Sequence, residues 1–158
     1  MKIISLVGLV VLSSAVGCSK PNPRVETRLN EDARLMGELT PNPMQGKVIT
    51  SWVDKRDSTM STLYGNDAAV NYARRNAEMK YPAGSVVSLV TWNQQEDGRW
   101  FGGKIPATPK SVEVVSVGTG YSYQRFEGSP LKRVENTEGA APNERAAYLL
   151  SQRAAVLP

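Results

Sequence analysis

The side chains that most often perform chemistry in proteins are nearly absent from this sequence of 158 residues. It contains no histidine, and its single cysteine is Cys18. Serine–histidine–aspartate and cysteine–histidine nucleophilic sites both need an imidazole, so neither can form within this chain. Zinc sites draw mainly on cysteine and histidine and are excluded for the same reason. The composition therefore favours a role other than catalysis.

Carboxylates are the remaining groups for acid–base chemistry. Glu96, Asp97 and Glu113 are expected near aromatic strands, and paired carboxylates can cleave glycosidic bonds. Consecutive side chains diverge, however, so Glu96 and Asp97 fit a solvated turn better than an acid–base pair. The cations form no dense block, and a formal net charge of +4 is mild, so nucleic acid is not an expected partner. Five cations could either bind anionic envelope polymers or form a solvated face: Lys47, Lys55-Arg56 and Arg74-Arg75.

Cys18 is a predicted lipid attachment site. Lys2 supplies a positive charge, residues 3–16 carry no charge, and small residues precede the cysteine, which is the layout of a secretory signal peptide. Ala15-Val16-Gly17-Cys18 resembles the lipobox of bacterial lipoproteins, in which the cysteine takes a diacylglycerol and becomes the new N-terminus. The resemblance implies a palmitate-bearing membrane anchor, and Ser19 implies the periplasmic side of the outer membrane. An ordinary secretory signal is the alternative.

The chain divides into three parts on composition. Residues 1–17 are the predicted signal peptide, and residues 18–45, rich in proline and polar residues, are a predicted flexible tether behind the lipidated cysteine. Residues 46–158 are the predicted folded domain, whose length suits one core.

Hydrophobic periodicity within the domain predicts strands and two helices. The strands are expected over residues 47–55, 59–64, 85–94, 99–105, 111–117 and 121–126, and the helices over residues 67–79 and 144–155. Pro106 and Pro109 are expected to bound a loop. In the strand over residues 85–94, Val90 and Leu89 lie on opposite faces, and both faces are apolar. This pattern indicates a central strand that is covered on both sides. The prediction is an α+β fold, a mainly antiparallel β-sheet with one inserted helix and a C-terminal helix.

Part of the domain resembles the cytochrome P-460 family. The resemblance is carried by Ser61–Val70, in which a strand ends in Gly-Asn-Asp before a helix, by the turn and strand Tyr81–Val86, and by Thr91-Trp92. It continues through Trp100–Pro106 and Ser111–Glu113. This similarity implies a mainly antiparallel β domain with flanking helices, often dimeric.

The same resemblance implies the fold of the family but not its haem-dependent activity. Its enzymes oxidise hydroxylamine or nitric oxide at a c-type haem attached through Cys-x-x-Cys-His near the C-terminus. The corresponding residues 133–145 contain neither cysteine nor histidine, and the family's haem-crosslinking lysine aligns with Leu89. Covalent haem is therefore excluded by sequence, and no cofactor is predicted.

Aromatic residues on the strands form the predicted ligand pocket. Such rings suit a flat or amphipathic ligand, and the alternative is that they fill a closed core. The set is Trp92, Trp100, Phe101, Tyr121 and Tyr123, with Phe126 beside them. Non-covalent haem held by Tyr64, Tyr121, Tyr123 or Met79 is another alternative. The sequence predicts a lipid-anchored protein with a binding or structural role, whose partner is a small ligand, an envelope protein or a second copy; haem-dependent oxidation is the alternative.

Overall fold

A computed structural model describes residues 29–75, 80–135 and 142–155. Within these ranges six strands form one antiparallel sheet in chain order, so that each strand pairs with its neighbours in sequence. The strands are β1 (Lys47–Asp54), β2 (Thr59–Gly65), β3 (Val86–Glu96), β4 (Lys104–Val117), β5 (Tyr121–Glu127) and β6 (Lys132–Val134). Helix α1 (Asp67–Arg75) is inserted between β2 and β3, and α2 (Pro142–Ser151) follows the sheet. The predicted α+β fold is confirmed.

Asn66 starts α1 and fixes the chain around it. Its side-chain oxygen accepts a hydrogen bond from the Ala69 N–H at 3.1 Å, which satisfies one of the free donors of the first turn. The same oxygen accepts from the Val86 N–H at 3.1 Å, and its amide donates to the Gly84 carbonyl at 2.7 Å. Asn66 is thus the N-cap of α1, and it also ties the helix to the turn before β3. Residues 76–79, where the predicted helix would end, lie outside the described residues.

The sheet separates two apolar clusters. On the helix side, the buried side chains of Ile49, Leu63, Val87, Leu89 and Val115 pack against α1 and α2. On the opposite side, Val90, Trp92, Val112, Val114 and Phe126 form a second cluster with Leu131. Strand β3 contributes to both clusters, so its prediction as a central strand covered on both sides is confirmed.

The chain before β1 covers the side of the sheet opposite the helices. Ala33, Leu35 and Leu39 pack against the second cluster, and the Leu131 N–H donates to the Met36 carbonyl at 2.7 Å. Gly37 pairs with Leu131 as an isolated bridge. Residues 29–45 were predicted as flexible tether, but in the structure they are a packed layer of the domain because their few apolar side chains cover one face of the sheet.

The region around Pro106 and Pro109 differs from the prediction. Both prolines lie inside β4, which runs unbroken from Lys104 to Val117, and residues 99–103 form a turn instead of the start of a strand. Proline cannot donate to a strand ladder and is tolerated at sheet edges and bulges. Strand β5 pairs with β4 only from Ser111 onward, and the β3–β4 register shifts around Trp92. The prolines therefore occupy an irregular edge that needs no donor on that side.

Helix α2 begins two residues earlier and ends four residues sooner than predicted. Pro142 occupies its first position, where a missing N–H costs nothing. After Ser151 the chain instead bonds to the rest of the domain: the Ala154 N–H donates to the Ala73 carbonyl and the Ala155 N–H to the Ile49 carbonyl. Among the described residues, no helix has the length and apolar character needed to cross a membrane.

Candidate functional site

A buried carboxylate lies where α2 meets the sheet. Glu113 on β4 is only 3% exposed, and Arg145, in the first half of α2, binds it in two places. The Arg145 Nε donates to Oε1 at 2.9 Å and Nη2 to Oε2 at 2.6 Å, which is the bidentate geometry of strong charge-assisted pairs. Tyr123, on the neighbouring strand β5, donates its hydroxyl to the same carboxylate.

The arginine also contacts an aromatic ring. Its guanidinium lies 5.0 Å from the centre of the Tyr148 ring, and that ring meets Trp52 edge-on at 6.5 Å. A cation above the face of an aromatic ring is attracted by the negative charge of that face. Glu113 and Arg145 therefore connect β4 to α2 and, through Tyr148, to β1.

The electrostatics of this cluster favour the charged form of the carboxylate. Burial alone would raise the pKa of Glu113, but the hydrogen bonds from Arg145 and Tyr123 outweigh it and lower the pKa below its ordinary value of 4.5. The hydrogen bond to Glu113 raises the pKa of Arg145 above its ordinary value. A carboxylate that stays ionised and fully bonded has no proton to donate. Glu113 is thus suited to holding the fold together, not to general acid catalysis.

This cluster predicts how stability depends on pH. Because the pKa of Glu113 is lower in the folded state, its contribution is present above the unfolded value and is lost as the pH falls through the folded one. Urea unfolding between pH 7 and pH 3 should show stability falling below about pH 4.5, and Glu113→Gln should flatten that fall by roughly 1 kcal/mol per pH unit. Ser122→Ala, at an exposed side chain without a titratable group on β5, is the control and should leave the slope unchanged. An unchanged slope in Glu113→Gln would contradict the assignment.

A cleft of about 600 Å³ opens between the two helices and the β4–β5 turn. Three tyrosine rings give it aromatic walls: Tyr72 from α1, Tyr81 from the loop before β3, and Tyr121 from the start of β5. The Tyr72 and Tyr81 rings are in contact, with their centres 4.3 Å apart. Val117, Ala147 and Leu150 add apolar surface. Concave sites of this size with aromatic walls and a few polar groups are typical of small-molecule binding sites.

The polar groups of the cleft carry positive charge. Lys80 and Arg153 line it, and the lining residues that the structure describes include no acidic side chain. The Arg153 guanidinium lies 5.7 Å from the centre of the Tyr72 ring. Burial raises the pKa of Tyr81 to about 12, so its hydroxyl stays protonated and donates to the Gln152 carbonyl at 3.2 Å. The cleft therefore favours a ligand with an apolar or aromatic body and a negative charge.

The structure divides the predicted aromatic pocket among separate places. Trp92 is buried on the side away from the helices, where its Nε1 donates to the Ala33 carbonyl at 2.8 Å. Trp100 and Phe101 lie exposed in the turn before β4, whereas Tyr121 follows the opposite end of that strand, roughly 40 Å away along it. Tyr123 binds Glu113. Of the predicted set, Tyr121 alone lines the cleft, while Phe126 is buried in the second cluster.

Sequence reasoning missed most of the cleft. Tyr72, Lys80, Tyr81 and Arg153 come from segments that are separated along the chain and meet only in the fold. Arg145 was also missed. The signal for it was Glu113 itself, a charged residue within a run of valines, because such a position needs a buried partner.

The proposed carboxylate and cation sites are not assembled. Glu96 is ion-paired with Lys104, and Asp97 accepts a bond from the Arg99 N–H in the turn. Glu113 lies nine positions beyond Lys104, roughly 30 Å along β4, too far for paired catalysis.

The cations considered as a site for anionic polymers lie apart from one another. Lys47 forms an ion pair with exposed Asp67, which lowers the pKa of that carboxyl. The other predicted cations are exposed, Lys55 and Arg56 between β1 and β2 and Arg74 and Arg75 at the end of α1.

The residues present do not fit a c-type haem. Thioether attachment requires two cysteines beside a histidine, and the chain has one cysteine and no histidine. Leu89, at the aligned position of the crosslinking lysine, is buried in the helix-side core. Burial raises the pKa of Tyr64, which disfavours a ligating phenolate; Met79 lies outside the described residues. The described ranges contain no group of three or more acidic, cysteine or histidine side chains arranged to hold a metal.

The fold and the cleft together define an α+β domain built on a six-stranded antiparallel meander with both helices on one side of the sheet. The model of the cytochrome P460 family matches residues 44–140, more than half of the chain. The chain belongs to the cytochrome P460 family, as its sequence resemblance implied. A search of curated proteins gives no match.

Proposed function

We propose that this member of the cytochrome P460 family is a lipid-anchored envelope protein that binds a small ligand without haem and without catalysis. The observation that carries the binding role is the cleft between α1, α2 and the β4–β5 turn, with its tyrosine walls and its two cations. The ligand class that this lining supports is a small aromatic or amphipathic anion. Its apolar body would contact the rings, and its charge would face Lys80 and Arg153.

The absence of catalysis is supported by the chemistry of the side chains. Glu113 is the single acidic residue among the buried side chains of the described ranges, and its oxygens are bonded to Arg145 and Tyr123. No histidine or second cysteine is present to act as a base, nucleophile or haem ligand. Haem-dependent oxidation of hydroxylamine or nitric oxide at a c-type haem would need the two cysteines and the histidine of the attachment motif, which this chain lacks.

The location is supported by the sequence around Cys18. A signal peptide that ends at Gly17, directly before Cys18, supports diacylglycerol transfer to the thiol, and Ser19 supports sorting to the outer membrane with the domain facing the periplasm. Several acyl chains on one residue give stable anchoring, whereas one chain is marginal. The domain would then sample its ligand in the periplasm.

The cleft is tested with a pair of probes that differ mainly in charge. Isothermal titration of the purified full chain should show 2-naphthoate binding at least about 10-fold more tightly than neutral 2-naphthalenemethanol. Lys80→Ala and Arg153→Ala should each weaken 2-naphthoate by roughly 5- to 10-fold because each removes one charge from the lining. Arg99→Ala, an exposed cation in the turn before β4, is the matched control and should have no effect.

Three results would contradict the proposed function. Equal affinity for both probes, or equal loss in the Arg99→Ala control, would remove the cleft as an anion site. A natural protein that purifies with a Soret band and one tightly bound iron per chain would overturn the haem-free role.

A further inference from the structure

The turn between β3 and β4 presents two adjacent aromatic rings to solvent. Trp100 is 76% exposed and Phe101 is fully exposed at 104%. Tryptophan and phenylalanine dominate cores and interfaces because their rings bury a large apolar area. Leaving both in water gives up that free energy, which indicates that this turn meets something apolar.

The turn holds these rings outward through its own backbone. The Asp97 N–H donates to the Gly103 carbonyl at 2.9 Å, and the Gly103 N–H donates to the Trp100 carbonyl at 2.8 Å. Gly102 has a φ of +73°, a left-handed conformation that favours glycine. The rings are therefore displayed by a fixed turn at the tip of the hairpin.

The N-terminal segment joins the domain beside this hairpin. The Asn30 side chain donates to the Pro106 carbonyl at 2.6 Å, and Pro106 is two residues from Lys104, where β4 begins. Leu29, the first described residue, is 81% exposed. Cys18 precedes it by eleven residues, a length of chain that spans at most about 40 Å. An anchor on Cys18 would keep this end of the domain near the bilayer.

We propose that the β3–β4 turn is a membrane-contact site in which Trp100 and Phe101 enter the interfacial layer of a lipid bilayer. This inference rests on the proposed lipid anchor. Tryptophan favours the boundary between headgroups and acyl chains, where its ring is buried and its N–H remains near water. Because the anchor already holds the protein at the surface, two rings suffice to orient it. Exposed Arg99, next to Trp100 in the turn, is placed to meet lipid phosphates.

The test uses lipidated full-length protein in vesicles of phosphatidylethanolamine and phosphatidylglycerol, with and without brominated acyl chains. Bromine quenches only tryptophans within the bilayer, and the chain has three tryptophans. We expect brominated lipid to remove roughly one third of the emission. Trp100→Phe should abolish this quenching, whereas Trp52→Phe, at a half-buried ring on the helix side, should preserve it.

Two failures are separated by mass spectrometry of the same sample. A lipidated chain whose emission is insensitive to brominated lipid overturns the membrane contact alone. In that case, quenching of Trp100 by acrylamide places the ring in water, and protection from both quenchers places it against protein. A chain with no added acyl mass overturns the anchor and the contact together.

Discussion

Replacing Arg145 with alanine is expected to lower the free energy of unfolding by roughly 3 kcal/mol, the lower end of the range for breaking a buried ion pair. The side chain of Glu113 is 4% exposed and that of Arg145 is 31% exposed, so the substitution strips an ionised, buried carboxylate of its bidentate partner. Within the described part of the chain, the Tyr123 hydroxyl then remains as its hydrogen-bond donor. Urea denaturation at pH 7, followed by far-UV circular dichroism, measures the loss directly.

The control for this prediction removes both charges. Replacing Glu113 and Arg145 together with methionine leaves no uncompensated charge, so the double variant should recover most of the stability lost in the single one. Lys104→Ala removes a cation whose partner, Glu96, is 70% exposed, and it should cost less than about 1 kcal/mol. A double variant as unstable as Arg145→Ala would show that the loss comes from the packing of α2 instead of the buried charge.

Local patterns predicted most of the elements that build the sheet. Alternating apolar residues in β3 indicated two buried faces, and the structure places Val90 and Leu89 in different clusters. The start of α1 next to Asn66 is local in the same way, because an N-cap acts through bonds to residues nearby in sequence. Such features are encoded within a few residues of each other, which is why a single sequence reveals them.

Long-range pairing was the part that local patterns did not predict. Pro106 and Pro109 were predicted to bound a loop because proline breaks most strands. They fit within β4 because β5 does not pair with that part of the strand. Trp100 and Phe101 likewise read as strand residues, since aromatic rings favour strands. Their exposure follows from the turn closed by Asp97 and Gly103, which depends on where β3 ends.

The candidate site shows the same division. Glu113 was noticed from its type, but its role depends on Arg145, 32 positions later in the chain. The cleft gathers Tyr72, Tyr81 and Tyr121 from three segments, and no spacing rule connects them. The family resemblance indicated the fold, and the missing haem ligands argued against the activity of the family. Neither observation could indicate the cleft, because it forms only where the two helices pack.

Trp92 connects the sheet to the chain that precedes it. It was predicted to line a ligand pocket, but it is 6% exposed and lies in the second cluster, with its indole N–H bonded to the Ala33 carbonyl at 2.8 Å. One side chain therefore contributes both apolar packing and a hydrogen bond to residues 29–45. If that segment is a layer of the domain, its order should depend on this ring.

Trp92→Ala is accordingly expected to lower the free energy of unfolding by about 3–5 kcal/mol, the usual cost of removing a large buried ring. Hydrogen exchange should show the Leu131 amide, which bonds to the Met36 carbonyl, losing protection along with the layer. Trp92→Phe keeps most of the packing and should cost about 1 kcal/mol for the lost bond, whereas Trp100→Ala, at an exposed ring, should change stability by less than about 0.5 kcal/mol. Equal losses at Trp92 and Trp100, or an unchanged Leu131 amide in Trp92→Ala, would mean that residues 29–45 contribute little to the fold.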